Sequence, residues 1–220
     1  MQNAGQRWKK INASIQGISK EKPITIIGVT KHHPPPVIQE VIAAGLVHLG
    51  VNYAQDGELL RQSFPSPNLK WHFIGHIQSR KIKFLTSYDC IQSLDRIEIA
   101  RELDKRLQDL GHKVEVLIEI NIAAEVQKSG ISAEAVPEFL NQLAQCHNLT
   151  ITGLMGMPPA VPDLEARRIY FRKLFELFEN HRNYSTMNTL SMGTSEDYHI
   201  AVSEGATMVR LGTTLFGSRK

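Results

Sequence analysis

Short apolar runs of strand character alternate with stretches of helical spacing along the whole chain, and that alternation leaves few folds open. Strands are expected at residues 25–31, 47–51, 71–75, 88–93, 114–121, 149–155, 189–192 and 208–211. Helices fill the intervals at 36–44, 55–63, 95–110, 132–146, 163–182 and 197–203, with only a short one at 81–85. A further amphipathic helix over 3–18, with Trp8, Ile11 and Ile15 at helical spacing, precedes the first strand. Pro36 opens a helix and Gly45 closes it; Asp95 is the expected cap of the charged helix that Gly111 ends. The helix at 163–182 is the longest, with Ile169, Leu174, Phe175 and Phe178 as its inner stripe.

About eight strands, each but the last followed by a helix, is the repeat of a closed parallel barrel of the α/β class, the (β/α)8 or TIM barrel. The competing open, doubly wound sheet would carry a G-x-G-x-x-G turn after its first strand, and none is present. A single barrel domain over 1–220 is therefore expected, with 1–20 forming an N-terminal helix packed on it. The sequence stops a few residues past the last strand, so no second domain is expected.

Composition narrows the function classes. The 220 residues are 42% hydrophobic and 21% charged, enough for an ample core. The formal net charge is +3, and no basic run interleaved with aromatics offers a surface to nucleic acid. The first twenty residues lack the apolar segment of a signal peptide, and no later stretch is apolar for long enough to span a bilayer, so a cytoplasmic protein without membrane contact is expected. Cys90 and Cys146 have neither zinc spacing nor a disulfide framework and read as reduced, buried thiols.

The first strand, Thr25-Ile26-Ile27-Gly28-Val29-Thr30-Lys31, ends on a lysine, and His32-His33-Pro34-Pro35-Pro36 cannot prolong it. The two-residue period puts Lys31 on the inward face with Val29 and Ile27. An amine there is either a Schiff-base lysine or one that extends out to water. Barrel sites lie at the C-terminal strand ends, with phosphate often held after strands seven and eight. At those two places stand Gly193-Thr194-Ser195, beside a helix start, and Gly212-Thr213-Thr214. Backbone N–H groups and hydroxyls there suit a phosphate monoester, although such residues also make ordinary turns and caps. Arg210 faces the same side as Gly212 and needs either a ligand acceptor or an internal ion pair with Glu115 or Glu119. Lys31, Asn52, Ser191, Ser195, Arg210, Gly212 and Thr213 then ring one opening. His72 and His76 lack a third convergent ligand, so no metal site is expected.

Several motifs resemble, in order from about residue 24 to 217, the pyridoxal phosphate homeostasis protein family. They are Val29-Thr30-Lys31, Asn52-Tyr53-Ala54-Gln55, Trp71-His72-Phe73-Ile74-Gly75-His76-Ile77-Gln78-Ser79, Lys128-Ser129-Gly130, Gly153-Leu154-Met155, Leu190-Ser191-Met192-Gly193 and Met208-Val209-Arg210-Leu211-Gly212-Thr213. The resemblance implies one barrel similar to the N-terminal domain of alanine racemases, holding pyridoxal 5'-phosphate (PLP) as an internal aldimine on Lys31. It implies that Ser195 and the Gly212-Thr213 amides hold the phosphate, that Arg210 faces the pyridine nitrogen and that Asn52 lies near the aldimine. It implies a carrier or regulator in PLP and amino-acid balance without efficient catalysis, with PLP-dependent apoenzymes as candidate recipients. The residues give a reason: an arginine, unlike a carboxylate, opposes ring protonation, and a racemase needs a second acid/base from a further domain or partner. A Schiff-base aldolase or lyase acting on a phosphorylated sugar, and a racemase-like PLP enzyme, are the alternatives. Val51, Arg80 and Thr194 depart from the family pattern, where glutamate, asparagine and methionine are usual; the missing glutamate removes a negative charge near the end of the second strand.

Overall fold

The alternation closes on itself. In a computed structural model describing residues 2–19, 23–184 and 186–217, eight parallel strands form a closed barrel in sequence order. Met1 and Lys20 of the expected N-terminal segment, and residues 21–22, 185 and 218–220 of the expected domain, lie outside the described residues. The strands are β1 (Thr25–Val29), β2 (His48–Val51), β3 (Lys70–Phe73), β4 (Cys90–Leu94), β5 (Val114–Ile120), β6 (Leu149–Gly156), β7 (Thr189–Ser191) and β8 (Met208–Leu211). The helices are α1 (Ala4–Ile18), α2 (Pro35–Ala43), α3 (Ala54–Ser63), α4 (Ile97–Leu110), α5 (Val136–Leu143), α6 (Arg168–Asn180), α7 (Tyr198–Ser203) and α8 (Thr213–Phe216). A 3-10 helix, Ser79–Ser87, replaces the α-helix between β3 and β4.

The last strand does have a helix after it, contrary to expectation, but α8 has only four residues. The seam where β8 pairs with β1 therefore needs other cover, and α1 supplies it, packing against α2, α7 and α8. Trp8, Ile11 and Ile15 turn inward as their spacing predicts. Arg7 donates to the Leu215 and Phe216 carbonyls at 2.9 and 2.7 Å, satisfying the orphan acceptors at the end of α8. Gln16 exchanges hydrogen bonds with the Ile24 backbone just ahead of β1, so α1 runs along the outside of the wall.

Two helix expectations are corrected. Asp95 does not cap α4: the N-cap position is Arg96, and the Asp95 carboxylate instead accepts from the Arg96 guanidinium and the Gly130 amide, at 3.1 and 3.4 Å. The 163–182 segment is a 3-10 turn (Glu165–Arg167) followed by the 13-residue α6, shorter than α1 and α4, and its buried stripe is Phe171, Leu174 and Phe178. Ile169 is 56% exposed. Phe171→Ala is expected to destabilise the protein by about 3–5 kcal/mol and Ile169→Ala by less than about 1 kcal/mol, read from urea unfolding midpoints. Equal effects would contradict this helix phase.

The main core lies between the barrel wall and the helices; a small apolar cluster of Cys90, Leu117 and Met155 sits apart from it. Both cysteines are free and buried, and burial pushes both thiols up, away from thiolate reactivity. Among the described residues no helix is long and apolar enough to cross a membrane.

Candidate functional site at the barrel mouth

Lys31 lies two residues beyond β1, half-buried, its Nζ 5.2 Å from the centre of the Tyr53 ring. The strand cannot run on, because His32 has a left-handed φ of 64° and the His33 amide turns back to the Thr30 carbonyl at 3.0 Å. The prolines then start α2, Pro34 at its N-cap position. Thr30 holds the turn to β2, its amide and hydroxyl both donating to the Gly50 carbonyl. The inward side of β1 is confirmed by Gly50, where an added Cβ would strike Ile27.

A cavity of about 900 Å3 opens at this C-terminal end, lined by Lys31, Asn52, Ser195, Arg210, Gly212 and Thr213 together with Val29, Ile74 and Met157. Six of the seven residues expected around the opening therefore share one cavity. Ser191 does not reach it: its side chain is fully buried below, and its hydroxyl lies between Arg210 and Gln92. Asn52 lines the cavity, but its Oδ1 is buried behind the surface and has no hydrogen-bond partner among the described residues.

The loops after β7 and β8 meet. Ser195 Oγ accepts from the amides of Gly212 and Thr214 at 3.0 and 3.3 Å, and the Thr214 hydroxyl donates to the Ser195 carbonyl. Gly193 has φ 91°, and a Cβ there would lie 2.5 Å from Ala201, so the loop needs glycine at that point. Thr194 donates its amide and hydroxyl to Asp197 Oδ1, and Asp197 Oδ2 accepts from buried Arg167 at 2.8 Å. The departure at Thr194 thus joins the loop to an internal ion pair. Val51 is buried on the outward side between inward-facing Gly50 and Asn52, and Arg80 is exposed on the 3-10 helix.

Arg210 forms neither of the ion pairs considered for it. Nη1 donates to the Ser191 carbonyl and hydroxyl at 2.9 and 2.6 Å, and Nη2 to the Gly156 carbonyl at 3.2 Å. Glu115 is exposed and lines a second cavity, about 740 Å3, at the opposite end of the barrel. Glu119 acts on Arg210 through space without touching it: burial pulls the guanidinium down to about 10, against the charges of Glu119 and Asp197. Glu119, Asn121, His76 and Lys128 extend the mouth on one side. Lys128 pairs with Glu125, and His76 Nδ1 meets the Ser129 hydroxyl at 3.1 Å, far from His72 inside the barrel. Glu119 enters from the sequence only as a possible ion-pair partner, and Gln92 and Tyr53 carry no expected role of their own; strand parity marks both Glu119 and Gln92 as inward.

Burial, reinforced by Asp95 and opposed by Arg210, pushes the Glu119 carboxyl up to about 7. A carboxyl that holds its proton more tightly when folded favours folding at low pH, so its contribution is greatest below its ordinary value of 4.5 and is lost as pH rises towards 7. His48 and His72, held low by burial, act in the opposite sense over an overlapping range, so the comparison must be between variant and parent. From about pH 5 to 8, Glu119→Gln is expected to gain about 1–3 kcal/mol relative to the parent. Urea unfolding at both pH values measures it, and parallel pH profiles would show that Glu119 titrates normally.

The family model described as "Alanine racemase, N-terminal domain" matches residues 6–220. A pyridoxal phosphate homeostasis protein of Aquifex aeolicus is 37% identical, the alignment covering 99% of each chain. The chain belongs to the pyridoxal phosphate homeostasis protein family. Among solved structures it is similar to PipY of Synechococcus elongatus, which has structures both without and with PLP bound. The first has a TM-score of 0.89 at 28% identity over 98% of this chain and all of that one; the second has 0.84 at 30% identity over 96% and 100%. An alanine racemase of Clostridium difficile shares the fold at 17% identity and a TM-score of 0.74, with this chain spanning 55% of its length. The barrel expected of the family is the one observed, from β1 to its closure on β8.

Proposed function

We propose that this family member binds pyridoxal 5'-phosphate at the barrel mouth and acts in intracellular PLP homeostasis as a carrier or regulator without efficient catalysis. One observation carries the reading: a single cavity gathers the Lys31 amine, Asn52, the Arg210 guanidinium and the Ser195–Gly212–Thr214 donors. Pyridoxal 5'-phosphate supplies an aldehyde that an amine can join, a ring that can take up charge and a phosphate that needs N–H and O–H donors. The residues present fit those needs. Lys31 is the amine in the cavity, and Tyr53 lies beside it. Backbone amides of Gly212 and Thr214 already converge on one oxygen, that of Ser195, and Thr213 stands next to them. Asn52 lines the same cavity, its buried Oδ1 without a hydrogen-bond partner among the described residues.

Arg210 supports the non-catalytic part of the reading. A guanidinium is a donor only and keeps its charge, so a ring nitrogen held against it stays unprotonated and draws off little negative charge. Its three bonds to backbone and hydroxyl acceptors fix it in that role. PLP-dependent apoenzymes are the recipients such a carrier would serve, checked by whether the loaded protein restores activity to an apo-aminotransferase.

The deciding experiment is borohydride reduction of the purified protein followed by peptide mapping. A visible band that disappears on reduction, with the added mass on Lys31, is expected. A colourless protein trapped only with a phosphorylated sugar would point to an aldolase, and racemisation or decarboxylation at enzyme-like rates would end the non-catalytic reading.

A further inference from the structure

A run of polar side chains crosses the barrel interior from the mouth to the opposite end. Arg210 Nη1 donates to Ser191 Oγ at 2.6 Å and Ser191 Oγ donates to Gln92 Oε1 at 2.7 Å. Gln92 Nε2 meets His72 Nδ1 at 3.1 Å, and His72 Nε2 meets His48 Nδ1 at 2.9 Å. Arg210, Ser191, Gln92 and His72 are buried, and His48, half-buried, opens with His72 into the cavity at the N-terminal end. Polar groups buried in such number are tolerated only when each finds its partner.

We propose that Ser191, Gln92, His72 and His48 are positioning residues for Arg210: they form a one-way hydrogen-bond array that fixes the guanidinium, and a proton arriving on His48 reverses it. The sense of the array follows from Arg210. A guanidinium only donates, so Ser191 Oγ accepts from it and must spend its own proton on Gln92. That places the Gln92 carbonyl towards Ser191 and its amide N–H towards His72, with Met208 Sδ as a second acceptor at 3.2 Å. His72 Nδ1 is then bare, its proton is on Nε2, and His48 Nδ1 is bare in turn. Protonation of His48 sets two N–H groups against each other across the 2.9 Å contact. With both rings kept in place, the clash is relieved when His72 moves its proton to Nδ1, Gln92 turns over and Ser191 no longer has Gln92 as an acceptor. The event at one end is thereby felt at Arg210.

The surroundings of His48 decide when that happens. Lys70 on β3 and Asp89 ahead of β4 pair with each other at 3.0 Å, so their charges offset. Tyr88, Cys90, His112, Lys113 and Glu115 complete the titratable lining of that cavity. Burial holds both imidazoles low, His72 at about 3, so the array is in its forward sense at neutral pH.

The test is nitrogen NMR of the histidine rings in the ligand-free, full-length protein between about pH 5 and 8. Both neutral rings are expected with Nδ1 bare and Nε2 protonated; the opposite tautomer at His72 overturns the proposal. In Gln92→Glu, whose carboxylate can only accept, His72 is expected to switch to the Nδ1–H tautomer, and His48 to bind its proton about ten-fold more tightly. An unswitched tautomer overturns the array, since a carboxylate in contact with Nδ1 can only accept and so requires the proton there. Should that variant not fold, the parent spectrum decides by itself. The link to the mouth rests on the proposed PLP site: in loaded protein the visible band is expected to inflect at the His48 midpoint, and to lose that inflection in His48→Leu. A pH-independent band in loaded protein overturns the coupling. A protein that takes up no PLP overturns the site reading instead, while the tautomers still judge the array.

Discussion

Lys31→Ala is expected to fold as the parent does and to remain colourless when mixed with pyridoxal 5'-phosphate. The side chain lies past the end of β1, half-buried, and its recorded side-chain contact is with the face of the Tyr53 ring. A cation over an aromatic ring at a partly exposed position contributes about 0.5–1 kcal/mol, so the unfolding midpoint should hardly move. The loss of the visible band should be complete, because among the described residues Lys31 is the one lysine lining that cavity. Lys31→Arg keeps the charge and the contact with Tyr53 but offers no condensing amine, so it too should be colourless. A yellow Lys31→Ala protein would mean that the amine has been misassigned.

Arg210→Glu should destabilise the protein as strongly as the loss of a core aromatic such as Phe171. The substitution withdraws three hydrogen bonds from buried acceptors, the Ser191 carbonyl and hydroxyl and the Gly156 carbonyl, and leaves a carboxylate near Glu119. Orphaned acceptors and an uncompensated buried charge together cost about 3–5 kcal/mol. For a chain of this size that lowers Tm by roughly 10 °C, measurable by circular dichroism. The effect should grow above about pH 7, where Glu119 is ionised, and ease at lower pH. A Tm within about 2 °C of the parent at neutral pH would show that the guanidinium is not held as described.

What local rules predict and what they miss divide along physical lines in this chain. The limits of β8, Met208–Leu211, and the end of α4 at Gly111, with φ 70°, follow from residue types and their immediate neighbours. Asp95 was expected to serve its own helix, but a backbone amide 35 residues away competes for it, and no local rule contains Gly130. Spacing alone gives the wrong phase for α6 because Ile169 and Phe171 are both apolar; the turn at Glu165–Arg167 and the packing of Phe171 settle which one is buried. Ser191 was placed on the correct face but at the wrong depth.

The sequence by itself determined the alternating pattern, the closed parallel barrel, the lysine at the end of β1 and the small-residue loops after β7 and β8. Period-two parity and the refusal of proline to extend a strand are properties of a few consecutive residues. Only the tertiary structure decided that α1 covers the seam beside the four-residue α8, that Arg210 is held by carbonyls and a hydroxyl instead of a carboxylate, and that Gln92 and His72 join it to His48. Those contacts depend on the depth at which each strand enters the barrel. That depth is fixed by the register of its neighbours, Ile27 beside Arg210 and Gly50 beside His72, and no single segment carries it.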